Sequence, residues 1–164
     1  MTKLLEYNDN LICVFEHAVA FIPINEKAIS ARNEAGDIYI TSDNVLSRTL
    51  TMLSSTFGSQ WADSVVKTPY GVYGIDTVAK KIWKVAVEGS LNPSIKLNCI
   101  SDFNVQKFLN KNITLKEHEI TPIIGIRNVK SHYNAFKGDV MFTYYDDINT
   151  LEERAWNLCF NEIL

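Results

Sequence analysis

Apolar and polar residues alternate most clearly between Ser64 and Asp102, and the alternation predicts four short strands there. Ser64–Thr68 is β-branched and stops at Pro69. In Gly71–Asp76, Val72 and Gly74 fall on one face and Tyr73 and Ile75 on the other. In Lys81–Val85, Ile82 and Lys84 oppose Lys81, Trp83 and Val85. Ile95–Ile100 puts Ile95, Leu97 and Cys99 together. The intervening stretches carry turn signals: Thr68-Pro69-Tyr70-Gly71, Asp76–Lys80, and Glu88–Pro93 with its Gly89. Four consecutive strands on short connections make an antiparallel meander, the repeating unit of a β-propeller. A sandwich or a small barrel satisfies the same pattern equally well.

The rest of the chain reads in the same terms. Asn8-Asp9-Asn10 is a turn, and Leu11–Phe15 and Ala18–Ile24 form a hairpin interrupted by Glu16 and His17. Ile29–Gly36 is polar and reads as a loop, followed by a short strand at Asp37–Thr41. Asn44–Ser55 carries Leu46, Leu50 and Leu53 at helical spacing, but its Thr and Ser residues are poor helix formers and favour a strand. Gln60–Asp63 has room for one helical turn. The clearest helix follows Ser101 or Asp102, with Val105, Phe108 and Leu109 as its apolar stripe. Residues 113–122 read as a polar linker, Ile123–Val129 as a strand, Lys130–Gly138 as a loop, Asp139–Tyr145 as a strong strand and Asp146–Glu153 as an acidic turn. Trp156–Leu164 is a last strand with Trp156, Leu158 and Phe160 on one face. A terminal strand so apolar needs a partner, from the same domain or from another chain. The expected fold is therefore mainly β, with antiparallel meanders arranged as β-propeller-like blades and one short helix near residues 103–111. Residues 1–164 form a single β-rich domain that fits within a larger propeller-like protein.

Composition excludes several function classes. The chain has 164 residues, 46% hydrophobic and 21% charged, which suits an ordinary globular domain. A net charge of −3 argues against a nucleic-acid footprint spread over the chain. The longest apolar run, Leu11–Ile24, is broken by Glu16 and His17 and is too short to span a bilayer; the N-terminus has no apolar stretch of signal-peptide type. Three dispersed cysteines, Cys13, Cys99 and Cys159, read as buried small hydrophobes in a reducing compartment rather than as a disulfide framework.

Candidate chemistry is sparse. His17, His118 and His132 have no metal-ligand neighbour at helical or hairpin spacing, so no zinc pattern exists. Asp146, Asp147, Glu152 and Glu153 are the densest acidic group, yet they fit no calcium loop and read as a solvated turn. Gly71, Gly74, Gly89 and Gly125 form no phosphate cradle; Gly71 and Gly74 mark close backbone packing within a strand. Asn112-Ile113-Thr114 is a glycosylation sequon without a secretory context. Lys80, Lys81 and Lys84 around Trp83, and Lys107 with Lys111, are small basic spots on solvated faces. No residue is assigned a catalytic, cofactor-binding or metal-binding role.

The runs SVVKTPYGVYGIDTVAKKIWKV, ISDFNVQKFLNKNI, NVKSHYNAFKGDVMFTYYDD and WNLCFNEIL resemble the tail-associated structural proteins of crAss-like bacteriophages, the muzzle or stabilisation proteins. The resemblance extends over most of the chain. It implies a β-rich, propeller-like component of the virion tail, made in the bacterial cytoplasm and carrying no cofactor. It also implies assembly in several copies with other tail proteins or with copies of itself, with no membrane segment and no specific nucleic acid. The chain is shorter than such relatives and stops at Leu164, where a longer one continues into a return strand, so the resemblance reads it as a fragment, a processed chain or a split gene product. Two other readings compete. A carbohydrate-binding β module would use exposed Tyr70, Tyr133 and Trp61. A hydrolase would need a carboxylate site, or Cys99 or Cys159 meeting a histidine in space.

Overall fold

The computed structural model describes residues 1–24, 31–32, 38–39, 49–90, 93–101, 103–113, 127–146 and 154–161. Their strands are β1 (Lys3–Tyr7), β2 (Asn10–Val14), β3 (Val19–Pro23), β4 (Ala31–Arg32), β5 (Ile38–Tyr39), β6 (Thr51–Ser54), β7 (Val65–Thr68), β8 (Gly71–Asp76), β9 (Lys81–Glu88), β10 (Ser94–Cys99), β11 (Arg127–Asn134), β12 (Asp139–Asp146) and β13 (Arg154–Asn161). A single helix, α1 (Phe103–Asn112), lies between β10 and β11, and a 3-10 turn, Ala62–Ser64, precedes β7. The strands form two four-stranded sheets, β1-β2-β3-β6 and β10-β9-β8-β7, one three-stranded sheet, β11-β12-β13, and the small β4-β5 pair. All pairings are antiparallel. The fold is mainly β with one short helix, as the alternation predicts, and Ser64–Asp102 is a four-stranded meander. No closed barrel or propeller ring forms among the described residues.

The meander is the middle layer. Its β8 is buried at every position, because both faces of the strand are covered. Val72, Trp83 and Val85 pack with Tyr7, Ile12, Val14 and Val19 of the first sheet. On the opposite face Tyr73, Ile75 and Ile82 pack with Val129, Val140, Phe142 and Tyr144 of the third sheet and with Leu109 and Ile113. Alternation along one strand thus feeds two separate cores. Each fully buried side chain of this size contributes about 1.5–3 kcal/mol, so β8 and β9 together anchor both.

Local sequence explains the connections. Asn8 and Asp9 both adopt positive φ, 47° and 56°, which gives the β1–β2 hairpin its two-residue turn. Gly138, at φ 68°, closes the β11–β12 turn, where its amide donates to Asn134 O at 2.8 Å. Gly74 is needed for space: a Cβ there would overlap the Trp83 indole. The stripe on α1 places Leu109 and, just beyond the helix, Ile113 in the core, and Phe108 meets Trp156 edge-on at 5.2 Å. Lys111 in the last turn suits the negative end of the helix dipole.

Several expectations change. Lys3–Tyr7 forms β1, a strand the sequence reading left unassigned; Lys3 and Glu6 obscure its alternation, but Leu5 and Tyr7 face the core. Lys130–Gly138 is not a loop throughout, since β11 runs to Asn134. Val129 is buried and Tyr133 half-buried, while Lys130 and His132 are exposed, so half-polar alternation suffices once a neighbouring strand supplies the ladder. Ala31–Arg32, within the expected loop Ile29–Gly36, pair as β4 with β5. In Asn44–Ser55 the strand is confined to β6 among the described residues. The Asp102 cap and most of the linker 113–122 lie outside the described residues, as do 123–126 of the expected strand.

Trp83 and the half-buried Trp156 provide a test. Trp83 is fully buried and its Nε1 donates to Gly58 O at 2.7 Å; among the described residues Trp156 Nε1 is the buried side-chain donor with no acceptor. Trp83→Ala should lower unfolding free energy by about 3–5 kcal/mol. Trp83→Phe should lose about 1–3 kcal/mol by stranding the Gly58 carbonyl, whereas Trp156→Phe, which removes a stranded donor, should cost less than Trp83→Phe. Urea unfolding of the three variants measures the order.

Candidate functional site

The richest cluster of buried polar groups surrounds Asp76, at the end of β8. One carboxylate oxygen accepts from the Gly58 amide at 2.8 Å. The other accepts from Gln60 Nε2 at 2.9 Å and from the amides of Val78 and Ala79 at 2.9 and 2.8 Å. Gln60 Oε1 in turn accepts from the Thr77 amide and hydroxyl at 2.9 and 3.0 Å. Ser59 Oγ donates to Ile75 O at 3.0 Å and contacts Ser64 Oγ, which donates to Trp61 O. Ser59, Ser64, Asp76 and Thr77 are all buried. The arrangement holds a carboxylate and two hydroxyls, but the carboxylate already serves four donors and no histidine stands among its partners. It ties the segment leaving the first sheet to the β8–β9 turn. Sequence reasoning marked Asp76–Lys80 as a turn and missed this role; the signal was a carboxylate directly ahead of a threonine at the end of an apolar strand.

The residues singled out from sequence are scattered. His17 is exposed beside the β2–β3 turn, and His132 is exposed on β11. His118 lies outside the described residues. All three cysteines are free thiols, but only Cys13 is buried; Cys159 is exposed on the face of β13 turned away from the core, and Cys99 is exposed at the end of β10 although it registers opposite Trp83. His132, Met141 and Cys159 share one row across the third sheet. His132 and Cys159 are thus two strand spacings apart, about 10 Å, too far for a proton-transferring pair. Burial and the nearby Asp139 push the Cys159 thiol up, against a smaller opposing effect of Lys137, and burial pushes the Cys13 thiol up as well. That is the reverse of an activated nucleophile.

The carbohydrate candidates divide similarly. Tyr70 is exposed at the tip of the β7–β8 hairpin. Trp61 and Tyr133 pack against the core between the second and third sheets. Phe136, fully exposed on the β11–β12 turn, is the aromatic the sequence placed in a loop without a role. Two lysines of the basic spot around Trp83 are also engaged: Lys81 Nζ lies 5.0 Å from the Phe57 ring centre and Lys84 Nζ 5.1 Å from that of Tyr73. Asn112 Nδ2 donates to Phe108 O at 2.8 Å. Asp147, Glu152, Glu153 and Gly125 lie outside the described residues, and nothing is described of the Asp146 side chain. Among the described residues no three histidine, cysteine or carboxylate side chains come together as a metal site.

Among the described residues two clefts, each about 380 Å³, can be placed. One lies where β1 and the 3-10 turn with β7 approach β11. There Lys3 Nζ donates to Val65 O at 2.6 Å, Ser131 Oγ donates to Asp63 O at 2.8 Å, and Lys67 pairs with Glu6 at 2.6 Å. The hydrogen bond from Lys67 holds the Glu6 carboxyl below its ordinary range. These contacts join the sheets at their first strands. The other cleft is an apolar groove beside β13, between the third sheet and the outer half of the middle one. No helix among the described residues is long and apolar enough to cross a membrane.

Stacked antiparallel sheets, with their polar groups spent on joining the layers, define a structural β protein. The family model of the Crassvirus muzzle protein matches residues 1–164, the whole chain, and the chain belongs to that family. This makes it a bacteriophage structural protein. No curated protein matches it.

Two outcomes follow. Asp76→Ala removes the acceptor of four donors and should destabilise the protein by about 3 kcal/mol or more, with Asp76→Asn intermediate; thermal and urea unfolding measure both. A raised thiol pKa means less thiolate at a given pH, so iodoacetamide should alkylate Cys159 more slowly at pH 8 than free cysteine, with a pH profile displaced upward. Asp139→Asn should move that profile back down, read by mass spectrometry of the modified peptide.

Proposed function

We propose that the chain is a structural component of the phage tail that acts through protein–protein assembly and not through catalysis. The match of residues 1–164 to the muzzle family carries this reading. Residues 1–164 act as one β-rich unit whose stacked sheets serve as propeller-like blades, with β7 running beside both β1 and β11 at their shared edge. Its partners are other tail proteins or copies of itself, and it resides in the tail of the virion after synthesis in the bacterial cytoplasm. The chemistry of the surface supports the reading: the conspicuous exposed groups are apolar side chains on sheets and turns, Leu4, Met52, Tyr70 and Phe136, which suit contact with protein.

Purified virions separated into heads and tails, analysed by quantitative mass spectrometry and immunogold labelling, should place the protein in the tail fraction at constant stoichiometry. Abundance in infected cells with absence from purified virions would overturn the proposal.

A further inference from the structure

The outward face of the third sheet carries three soft or borderline donors in one row. His132 registers opposite Met141, and Met141 opposite Cys159. An imidazole, a thioether and a thiol thus stand side by side across β11, β12 and β13. Residues directly opposite in a pleated sheet share a face. The core takes the alternate positions Val140, Phe142, Leu158 and Phe160, so the row lies on the other side. His132 and Cys159 are exposed there and Met141 is half-buried. Cys159 is a free thiol, and among the described residues no hydrogen bond engages it or the His132 ring.

The spacing suits one ion. His132 and Cys159 are about 10 Å apart along the backbone, with Met141 midway. That is too far for the two side chains to touch. Bonds from nitrogen or sulphur to a metal add about 2.0–2.3 Å at each ligand. An ion above Met141 is therefore within reach of both outer side chains as they lean inward, with the thioether beneath it.

The donor set selects the ion. Zinc closes its shell with four nitrogen, sulphur or carboxylate ligands. Here only His132 and Cys159 are of that kind, and the nearby Asp139 carboxylate accepts from Asn161 Nδ2 at 2.9 Å. Thioether and thiolate sulphurs favour copper(I) instead, and imidazole also suits copper. Charge points the same way. Lys130, in the next row, and Lys137, beside Cys159, face the single carboxylate of Asp139. A monovalent ion on a thiolate adds no net charge to that surface, whereas a divalent one adds a positive charge near two lysines.

We propose that His132, Met141 and Cys159 form a three-coordinate site for copper(I) on the outward face of the third sheet. As the sulphur–copper bond forms, the thiol gives its proton to solvent. Copper stays monovalent and no electron moves. The site is independent of the tail role, so either can fail without the other.

The test titrates the full chain with copper(I) alone, under anaerobic conditions, against a chromophoric copper(I) chelator. One tightly held ion per chain is expected, and X-ray absorption should show one nitrogen and two sulphur ligands. Cys159→Ser should abolish the tight site. Loss of a metal's outer-shell partner alone costs about 10–100-fold in affinity, so Met141→Leu and His132→Phe should each cost about a hundredfold. Cys99→Ser, which removes the other exposed thiol, should bind as the unaltered protein does. Circular dichroism checks that each variant is folded. A second measurement needs no variant: silver(I), a close analogue, should shield Cys159 from iodoacetamide in the unaltered protein and leave Cys99 reactive. Absence of a tight site overturns the proposal. Binding indifferent to both Met141→Leu and His132→Phe also overturns it, because the thiol then holds an adventitious ion only. Equal shielding of Cys99 and Cys159 has the same meaning. Zinc held as tightly as copper(I) would overturn the choice of ion.

Discussion

The structure depends on one sheet being buried on both faces. In an antiparallel sheet one face commonly meets water, and alternation sorts side chains accordingly. Here β8 and β9 send Val72, Trp83 and Val85 one way and Tyr73, Ile75 and Ile82 the other, and both sets are enclosed. Neither flanking sheet can bury its apolar face without this layer. Close packing on both sides leaves little slack, which is why Gly74 has to yield its side-chain volume to the Trp83 ring.

Polar contacts then fix how the layers are joined. Asp76 and Gln60 gather amides from two segments far apart in sequence, and Trp83 donates to Gly58 from inside the first core. A buried carboxylate is tolerable when enough donors surround it. The same accounting removes it from the set of reactive groups, because its lone pairs are occupied. At the opposite edge Lys3 and Ser131 reach backbone carbonyls across the layers. Buried polarity in this molecule is therefore architectural, in keeping with a phage structural protein of the muzzle family.

What is left for interaction lies at the margins of the stack. Turn tips expose Tyr70 and Phe136, and the third sheet ends in β13 with the groove beside it. The far face of that sheet is polar, with Thr143 Oγ1 donating to Asn157 Oδ1 at 2.7 Å. Contact with further layers thus has chemically distinct sites on one molecule: aromatic knobs, a polar sheet face and an apolar groove. Separate surfaces of this kind suit an assembled particle, in which each neighbour needs its own complementary patch.

The amino-acid sequence alone determined the strands of the meander, the helix and the faces of β8, because alternation and helical spacing are local properties of the chain. It also determined that Trp83 and Val85 share a face, and it carried the family resemblance. It did not determine which face of each strand meets which sheet, since the same alternation serves a sandwich, a barrel or a blade. Tertiary structure decided that Cys99 and Cys159 lie at the surface while Trp61 and Tyr133 pack inward. It turned the half-polar Lys3–Tyr7 and Arg127–Asn134 into strands, because a neighbouring ladder supplies the hydrogen bonds that their own propensity does not secure. It brought Gly58, Gln60 and Trp83 to one carboxylate and a carbonyl beside it, a meeting of residues up to 25 positions apart. Such contacts arise only when the layers close, and no periodicity along the chain encodes them.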